Sequence, residues 1–255
     1  HYWLNLWIPI LHYKQNCRIR EKDILMKQRP TLHSVYCYPP WQCHGQAYIL
    51  NYWASPQLLE QSKAYNLRPS RAGHMLHVIL IRYAQTPIGA YDALFIVDHP
   101  VRKKQRCSTI AKIFVSNEAS MLHGQNLWGL PKQLAKFTWT ETNTGTYCQV
   151  EVNGKNMTIQ LNLHKNSPEF YINSHQLPHH ILNVQQHSHS QHYTFTPQFR
   201  GKLRKLKSVQ WHDSHELFPD FNQARYINSF YMSEVQLLLP EAKIEVKTSV
   251  SRETT

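Results

Sequence analysis

Lys132 stands in an apolar run, Leu127-Trp128-Gly129-Leu130-Pro131-Lys132-Gln133-Leu134. Taken alone, a lysine most often ends on the surface. Buried among such neighbours it loses the solvation that favours its charged form, and the neutral amine becomes a nucleophile toward a carbonyl carbon. Two other groups of residues offer different chemistry. His187-x-His189-x-x-His192, with His179 and His180 upstream, supplies enough imidazole for a metal. The stretch holds no Asp or Glu, and a solvated histidine-rich loop accounts for it more simply. Arg102-Lys103-Lys104-Gln105-Arg106 and the run from Arg200 to Lys207 are basic enough to meet phosphates. Neither interleaves its charge with aromatics, as a nucleic-acid reader does, so basic turns or edge-strand protection are the expected roles. No phosphate-binding Walker loop, dinucleotide fingerprint, nucleophile elbow or H-E-x-x-H occurs. No cofactor and no metal site are therefore assigned.

The elements that must position Lys132 read as short strands with few helices. Gln46–Trp53 has strand composition, and Ser55–Tyr65 reads as a short helix. Met75–Tyr83 and Tyr91–Val97 are continuous apolar runs, as in strands covered on both faces, with Pro87-Ile88-Gly89 turning between them. Ile110–Ser116 is a further strand. Asn117–Asn126 reads as a helix capped by Asn117, with Glu118 in its first turn. Tyr147–Leu163 alternates on both sides of Asn153-Gly154, the pair that best suits a two-residue hairpin turn. Residues 175–192 read as a long loop, Val209 and Trp211 as the start of a late strand, and Phe221–Tyr226 as a helical turn. Val235–Val246 is a last apolar segment broken by Pro240. This pattern predicts an α+β, β-rich barrel or sandwich.

Composition narrows the class. With 42% hydrophobic and 17% charged residues, the 255-residue chain can bury a substantial core and does not have the signature of disorder. A net charge of +12 favours anionic partners without choosing one. Five cysteines, an odd number with no C-x-x-C pair, suit free thiols in a reducing, cytoplasmic setting. Tyr2–Leu11 is apolar but far short of the roughly 20 residues that a spanning helix needs, so no membrane partner is expected. The chain starts at His1 without an initiator Met, as a fragment or processed product would. Residues 1–36 read as a lead-in, 37–246 as the domain and 247–255 as a polar tail.

Three stretches carry a family resemblance. Asn117-Glu118-Ala119 followed by Gly124-Gln125-Asn126-Leu127-Trp128-Gly129-Leu130-Pro131-Lys132, the turn from Pro87 to Tyr91, and Leu237-Leu238-Leu239-Pro240-Glu241-Ala242 resemble the acetoacetate decarboxylase family in order and spacing. The resemblance runs over roughly residues 39 to 246. It implies a cone-like antiparallel barrel with an apolar internal cavity, in a homo-oligomer. It also implies a lyase that forms a Schiff base with a β-keto acid or related carbonyl compound through Lys132. Acetoacetate decarboxylase is itself a standing example of a lysine activated by desolvation or a cationic neighbour. Tyr91, Glu118, Gln125, Trp128 and Gln46 are the implied substrate-binding positions, with His123 as a further wall residue. The sequence departs from the family at Gln133 (a second lysine), Gln125 and Gln46 (arginines), Ala93 and the neighbourhood of Val78 (carboxylates). Asp92 adjoins Ala93, but consecutive strand residues point to opposite faces. The alternative expectation is a catalytically degenerate member that holds an apolar small molecule in the same cavity.

Overall fold

The structure, a computed structural model, describes residues 36–99, 107–164 and 166–246. The lead-in expected before residue 36, the basic run at 102–106 and the tail from 247 lie outside them. From Pro39 onward the chain forms one unit built on a long antiparallel sheet. β1 (Trp41–Ala54), β2 (His74–Gln85), β3 (Tyr91–Asp98) and β4 (Thr109–Val115) succeed one another as neighbours. On the other side of β1 come β13 (Arg225–Leu239), β12 (Gln198–His212), β8 (Lys155–Leu163), β7 (Gly145–Val152) and β6 (Lys136–Glu141), with β9 (Glu169–Asn173) also paired to β12. The short β5 (Lys132–Leu134) pairs parallel to β4 at the opposite end of this order.

β5 and β6 are separated by Ala135 alone. One stretch of chain therefore pairs first with β4 and then with β7, which brings the two ends of the sheet together as a nearly closed barrel. The Ala135 N–H still donates to the Val115 carbonyl, 2.9 Å, so the change of partner takes place at one residue. Lys132 sits at this seam.

Period-2 alternation sorts the strands into two faces. Tyr48, Leu50, Leu80, Leu94, Phe114, Val150, Ile159 and Trp211 point into the barrel and form its core with Phe218 and Phe221. The opposite face of β1–β5 carries Ala47, Ile81, Ala93, Ile113 and Val115, all buried. It is covered by α2 (Glu118–Trp128). This helix starts and stops where its residues dictate. The Asn117 side chain accepts the Ser120 N–H, 3.0 Å. Gly129 adopts the left-handed conformation, φ 62°, and the Gly129 and Leu130 N–H groups close onto the Gln125 and Gly124 carbonyls.

The hairpin expected at Asn153-Gly154 forms, with both residues at positive φ. Ser55 caps α1 (Pro56–Gln61), which continues into a tighter turn at Lys63–Tyr65. Pro240 separates β13 from β14 (Lys243–Val246). No helix among the described residues is long and apolar enough to cross a membrane, which says nothing of strands.

Three expectations are corrected. Residues 175–192 are not one loop: a turn at Ser174–Gln176, α3 (His179–Leu182) and β10 (Val184–Ser188) occupy them, and β10 pairs with β11 (Gln191–Phe195). Its polar strands hide a period-2 signal, with Val184, Gln186, Tyr193 and Phe195 buried. The late strand does not begin at Val209; β12 starts at Gln198 and ends just past Trp211. Its basic run is therefore neither a turn nor an edge, since β12 is paired on both sides. Arg204 meets Glu169 at 2.9 Å, Lys202 meets Glu234 at 3.4 Å, and Arg200 donates to Gln236 at 2.7 Å, all on the solvated face.

The β10–β11 hairpin packs on the end of α2. A Cβ on Gly129 would lie 2.4 Å from the Tyr193 ring, in a backbone conformation that side chains resist. Gly129→Ala is expected to cost about 2–4 kcal/mol, the sum of left-handed strain and overpacking. A thermal melt lowered by only a degree would show that the hairpin yields instead.

Candidate active site

The buried face of α2 carries Ser120, His123, Gly124 and Trp128. Apart from Trp128 at its C-terminal end, this face is made of small and polar residues and carries no continuous apolar stripe. The small members make a notch, and the Lys132 side chain runs through it. A Cβ on Gly124 would fall 2.4 Å from Lys132 Cδ and 2.9 Å from Nζ. The Lys132 Nζ donates to Ser120 Oγ at 2.8 Å and lies 5.6 Å from the centre of the Tyr91 ring. Only 5% of the residue is exposed.

A protonated ammonium has three donors to satisfy, and Ser120 is the acceptor the structure supplies. Burial accordingly lowers the Lys132 pKa to about 7. The Cys43 thiol, the other titratable group acting on it, pulls the other way but is itself pushed by burial up to about 12. Both groups are driven toward neutrality and form no ion pair. The Tyr91 phenol is likewise raised by burial and stays protonated. The arrangement is a buried amine pushed by desolvation toward its neutral form, with the Ser120 hydroxyl as its hydrogen-bond partner.

Strand register decides which expected residues share the Lys132 face of the sheet. Tyr83↔Tyr91, Ile81↔Ala93 and Phe95↔Ile113↔Lys132 run across the sheet on one face. Gln46↔Arg82↔Asp92 run on the other. Tyr91 is thus beside Lys132, and Gln46 is across the sheet from it. Asp92 does not replace the carboxylate missing at Ala93: its side chain belongs to the opposite face, where burial raises its pKa. Val78, too, points into the barrel core. Glu118 is exposed in the first turn of α2. Gln125 is exposed as well, and its amide donates to the Lys132 carbonyl at 2.8 Å, tying helix to strand. Trp128 is 1% exposed, donates to the Pro240 carbonyl at 2.7 Å and meets Trp41 edge-on at 5.1 Å. His123 bonds the Ala119 carbonyl within its own helix and lies 5.6 Å from the Trp41 ring.

Sequence reasoning passed over Ser120, Cys43 and Arg82. Ser120 lies twelve residues before Lys132, but its one-turn spacing from Gly124 was the available signal. Arg82 lies directly across the strand from Gln46, so a cation stands beside the position where the family pattern has an arginine. Its guanidinium lies 4.5 Å over the Trp139 ring and 3.3 Å from Glu141. Gln46, Arg82, Tyr83, Tyr91 and Asp92 line a cleft of about 420 Å³ at the end of the β2–β3 hairpin. Tyr91 lines this cleft and also lies beside Lys132. Among the described residues no group of three or more His, Cys, Asp or Glu is placed to hold a metal. In the histidine stretch, His187 and His192 stack face to face across the β10–β11 hairpin at 4.3 Å.

The acetoacetate decarboxylase family model matches residues 26–170, more than half of the chain. No curated protein sequence is significantly similar to it. Acetoacetate decarboxylase from Legionella pneumophila has the same fold at 14% identity, with a TM-score of 0.65 over 88% of this chain and 94% of that one. An acetoacetate decarboxylase-like enzyme from Sphingomonas wittichii RW1 aligns at 11% identity, TM-score 0.57, over 82% and 93%. The enduracididine biosynthesis enzyme MppR, in a complex with pyruvate, aligns at 11% identity, TM-score 0.53, over 81% and 90%. What this chain shares with these proteins is the overall fold. The chain belongs to the acetoacetate decarboxylase family.

Burying an amine has a thermodynamic signature. The folded chain releases the Lys132 proton near pH 7, while the unfolded chain keeps it up to about 10.5. Below pH 7 the folded state therefore bears the full penalty of a buried ammonium, on the order of a few kcal/mol. The penalty fades as pH rises toward 10.5. Lys132→Met is expected to be more stable than the wild type at pH 6, with the gain shrinking steadily up to pH 10. Melts at four pH values measure it, and a pH-independent difference would contradict a depressed pKa.

Proposed function

We propose that this protein acts on a small carbonyl compound, a β-keto acid or a close relative, by forming a Schiff base through Lys132. The observation that carries the reading is the Lys132 amine buried against the Ser120 hydroxyl and the Tyr91 ring, a setting in which desolvation lowers its pKa. Desolvation favours the unprotonated form near pH 7, where an ordinary lysine is almost wholly charged. The MppR complex with pyruvate supports a keto acid as the ligand class in this fold.

The chemistry follows from the amine. Neutral Nζ adds to the ketone carbon, and the carbonyl oxygen takes up a proton to give a carbinolamine. Loss of water leaves a protonated imine. In a β-keto acid the bond to the carboxylate then breaks, carbon dioxide leaves, and the electron pair flows into the imine to give an enamine. Protonation at carbon and hydrolysis return the amine. Ser120 accepts a hydrogen bond from Nζ and is placed to hold the nitrogen toward the incoming carbonyl. Tyr91 both lines the 420 Å³ cleft and lies beside the amine, so on this reading a substrate would pass it on entry. Arg82 in that cleft is the cation available to draw in an anionic substrate.

The alternative is a member that has kept the pocket as a binding site for an apolar small molecule. Ala93 favours it, since a methyl group occupies the place of a family carboxylate on the Lys132 face. Borohydride reduction in the presence of acetoacetate or pyruvate separates the two. The expected result is one adduct, mapped to Lys132, with a yield that rises through pH 7. It should be lost in Lys132→Ala and strongly reduced in Gly124→Val, whose side chain fills the notch. A folded protein that yields no adduct with either compound would leave the binding reading.

A further inference from the structure

A second cleft, of about 600 Å³, lies behind the main chain of the Leu130-Pro131-Lys132 seam. It is walled by the segment at Asn66–Arg68, the start of β4, the C-terminal end of α2 and the β10–β11 hairpin. The Lys132 side chain is not part of its lining. Arg68, Asn126, His187, Ser188 and His189 are, and the lining contains no carboxylate.

Arg68 is the informative member. Its main-chain N–H donates to Asp98 Oδ2 at 2.9 Å, which fixes the residue at the foot of the cleft wall. Its guanidinium, half-buried, makes no hydrogen bond or ion pair with any described residue. Arg82 and Arg204, by contrast, each meet a glutamate. A guanidinium removed from part of its water and given no acceptor is a cost unless an acceptor arrives from outside. The same lining holds neutral polar groups: the Asn126 amide, the Thr109 and Ser188 hydroxyls, and the Asn66 and Gln125 amides, which already give one hydrogen each to the Ala111 and Lys132 carbonyls. The end of α2 does not oppose an anion strongly, because Gly129 and Leu130 already occupy the Gln125 and Gly124 carbonyls.

We propose that this cleft is a binding site for a small carboxylate- or phosphate-bearing anion, with Arg68 as its anchor. The planar fork of a guanidinium matches either group with two parallel hydrogen bonds. The site is distinct from the Lys132 pocket, but Gln125 joins them: it lines the cleft and holds the Lys132 carbonyl.

Calorimetric titration of the full chain at low salt, with inorganic phosphate and separately with succinate, tests the site. Saturable binding of at least one is expected, and which of them is tighter distinguishes a phosphate from a carboxylate ligand. Arg68→Gln should weaken binding by about tenfold or more, the usual effect of losing a charge-assisted pair. Arg200→Gln removes the same charge from the solvated face of β12 and should leave binding unchanged, as should Lys132→Ala. Asn126→Asp, at an exposed helix position, puts a carboxylate into the lining and should abolish binding even if Arg68→Gln does not fold. The proposal is overturned if neither anion binds saturably below about 10 mM, a dissociation constant near the weak limit of specific recognition. It is equally overturned if Arg68→Gln and Arg200→Gln weaken binding alike, or if Asn126→Asp binds as the wild type does.

Discussion

The structure depends on one stretch of backbone that must satisfy two strands in turn. From Lys132 to Leu134 it pairs with β4, and from Lys136 to Glu141 with β7. An open sheet would leave two rows of unpaired N–H and C=O groups; the switch at Ala135 joins them. The geometry of that switch fixes what can precede it. Pro131 cannot continue a helix, and Gly129 turns the chain through a left-handed residue, so α2 stops and lies back across the sheet. The first residue after the turn enters the sheet beneath the helix. That residue is Lys132, and its burial is a consequence of how the barrel closes.

Burying an ammonium is opposed by its lost hydration. A depression from 10.5 to about 7 represents a few kcal/mol, a large share of the roughly 5–15 kcal/mol by which a domain is stable. A methionine would fill the same channel between Ser120 and Gly124 without the penalty. The helix even gives up apolar packing to make room, placing a serine and a glycine where leucine or alanine would stabilise it. A local sacrifice at a pocket is the pattern expected where chemistry, not stability, sets the residue.

Much of this could be read from residues. Asn117, Gly129 and Pro131 carry their own conformational instructions, and the helix and seam lie where these residues put them. Period-2 alternation was enough to separate Asp92 from Ala93, and the register keeps them on opposite faces. The β10–β11 hairpin was not legible, because Gln185, Gln186, His187, Gln191 and His192 give strands that look like a loop when only hydrophobicity is counted. The buried face of α2 was hidden for a related reason: apart from Trp128 its residues are small or polar, so no apolar stripe marks it. Arg82 escaped because its relation to Gln46 exists only across a strand pair.

The missing carboxylates bear differently on the separate steps of the proposed reaction. A general acid or base contributes typically 10²–10⁴-fold, and that assistance falls on forming and hydrolysing the imine. The bond-breaking step needs an electron sink, which the protonated imine supplies by itself, and an environment that does not solvate the departing carboxylate. A site on a sheet face that carries Ile113 beside Lys132, with Ala93 and Ile81 further along it, would retain the second and third of these requirements while lacking the first. On this reading Ser120 and Tyr91 are left with the proton traffic, and neither ionises near neutrality. The protein would then be slow at making and releasing the imine, not at using it. Such a balance suits a carbonyl substrate whose imine forms readily, and it suits an unhindered keto acid better than a bulky ketone.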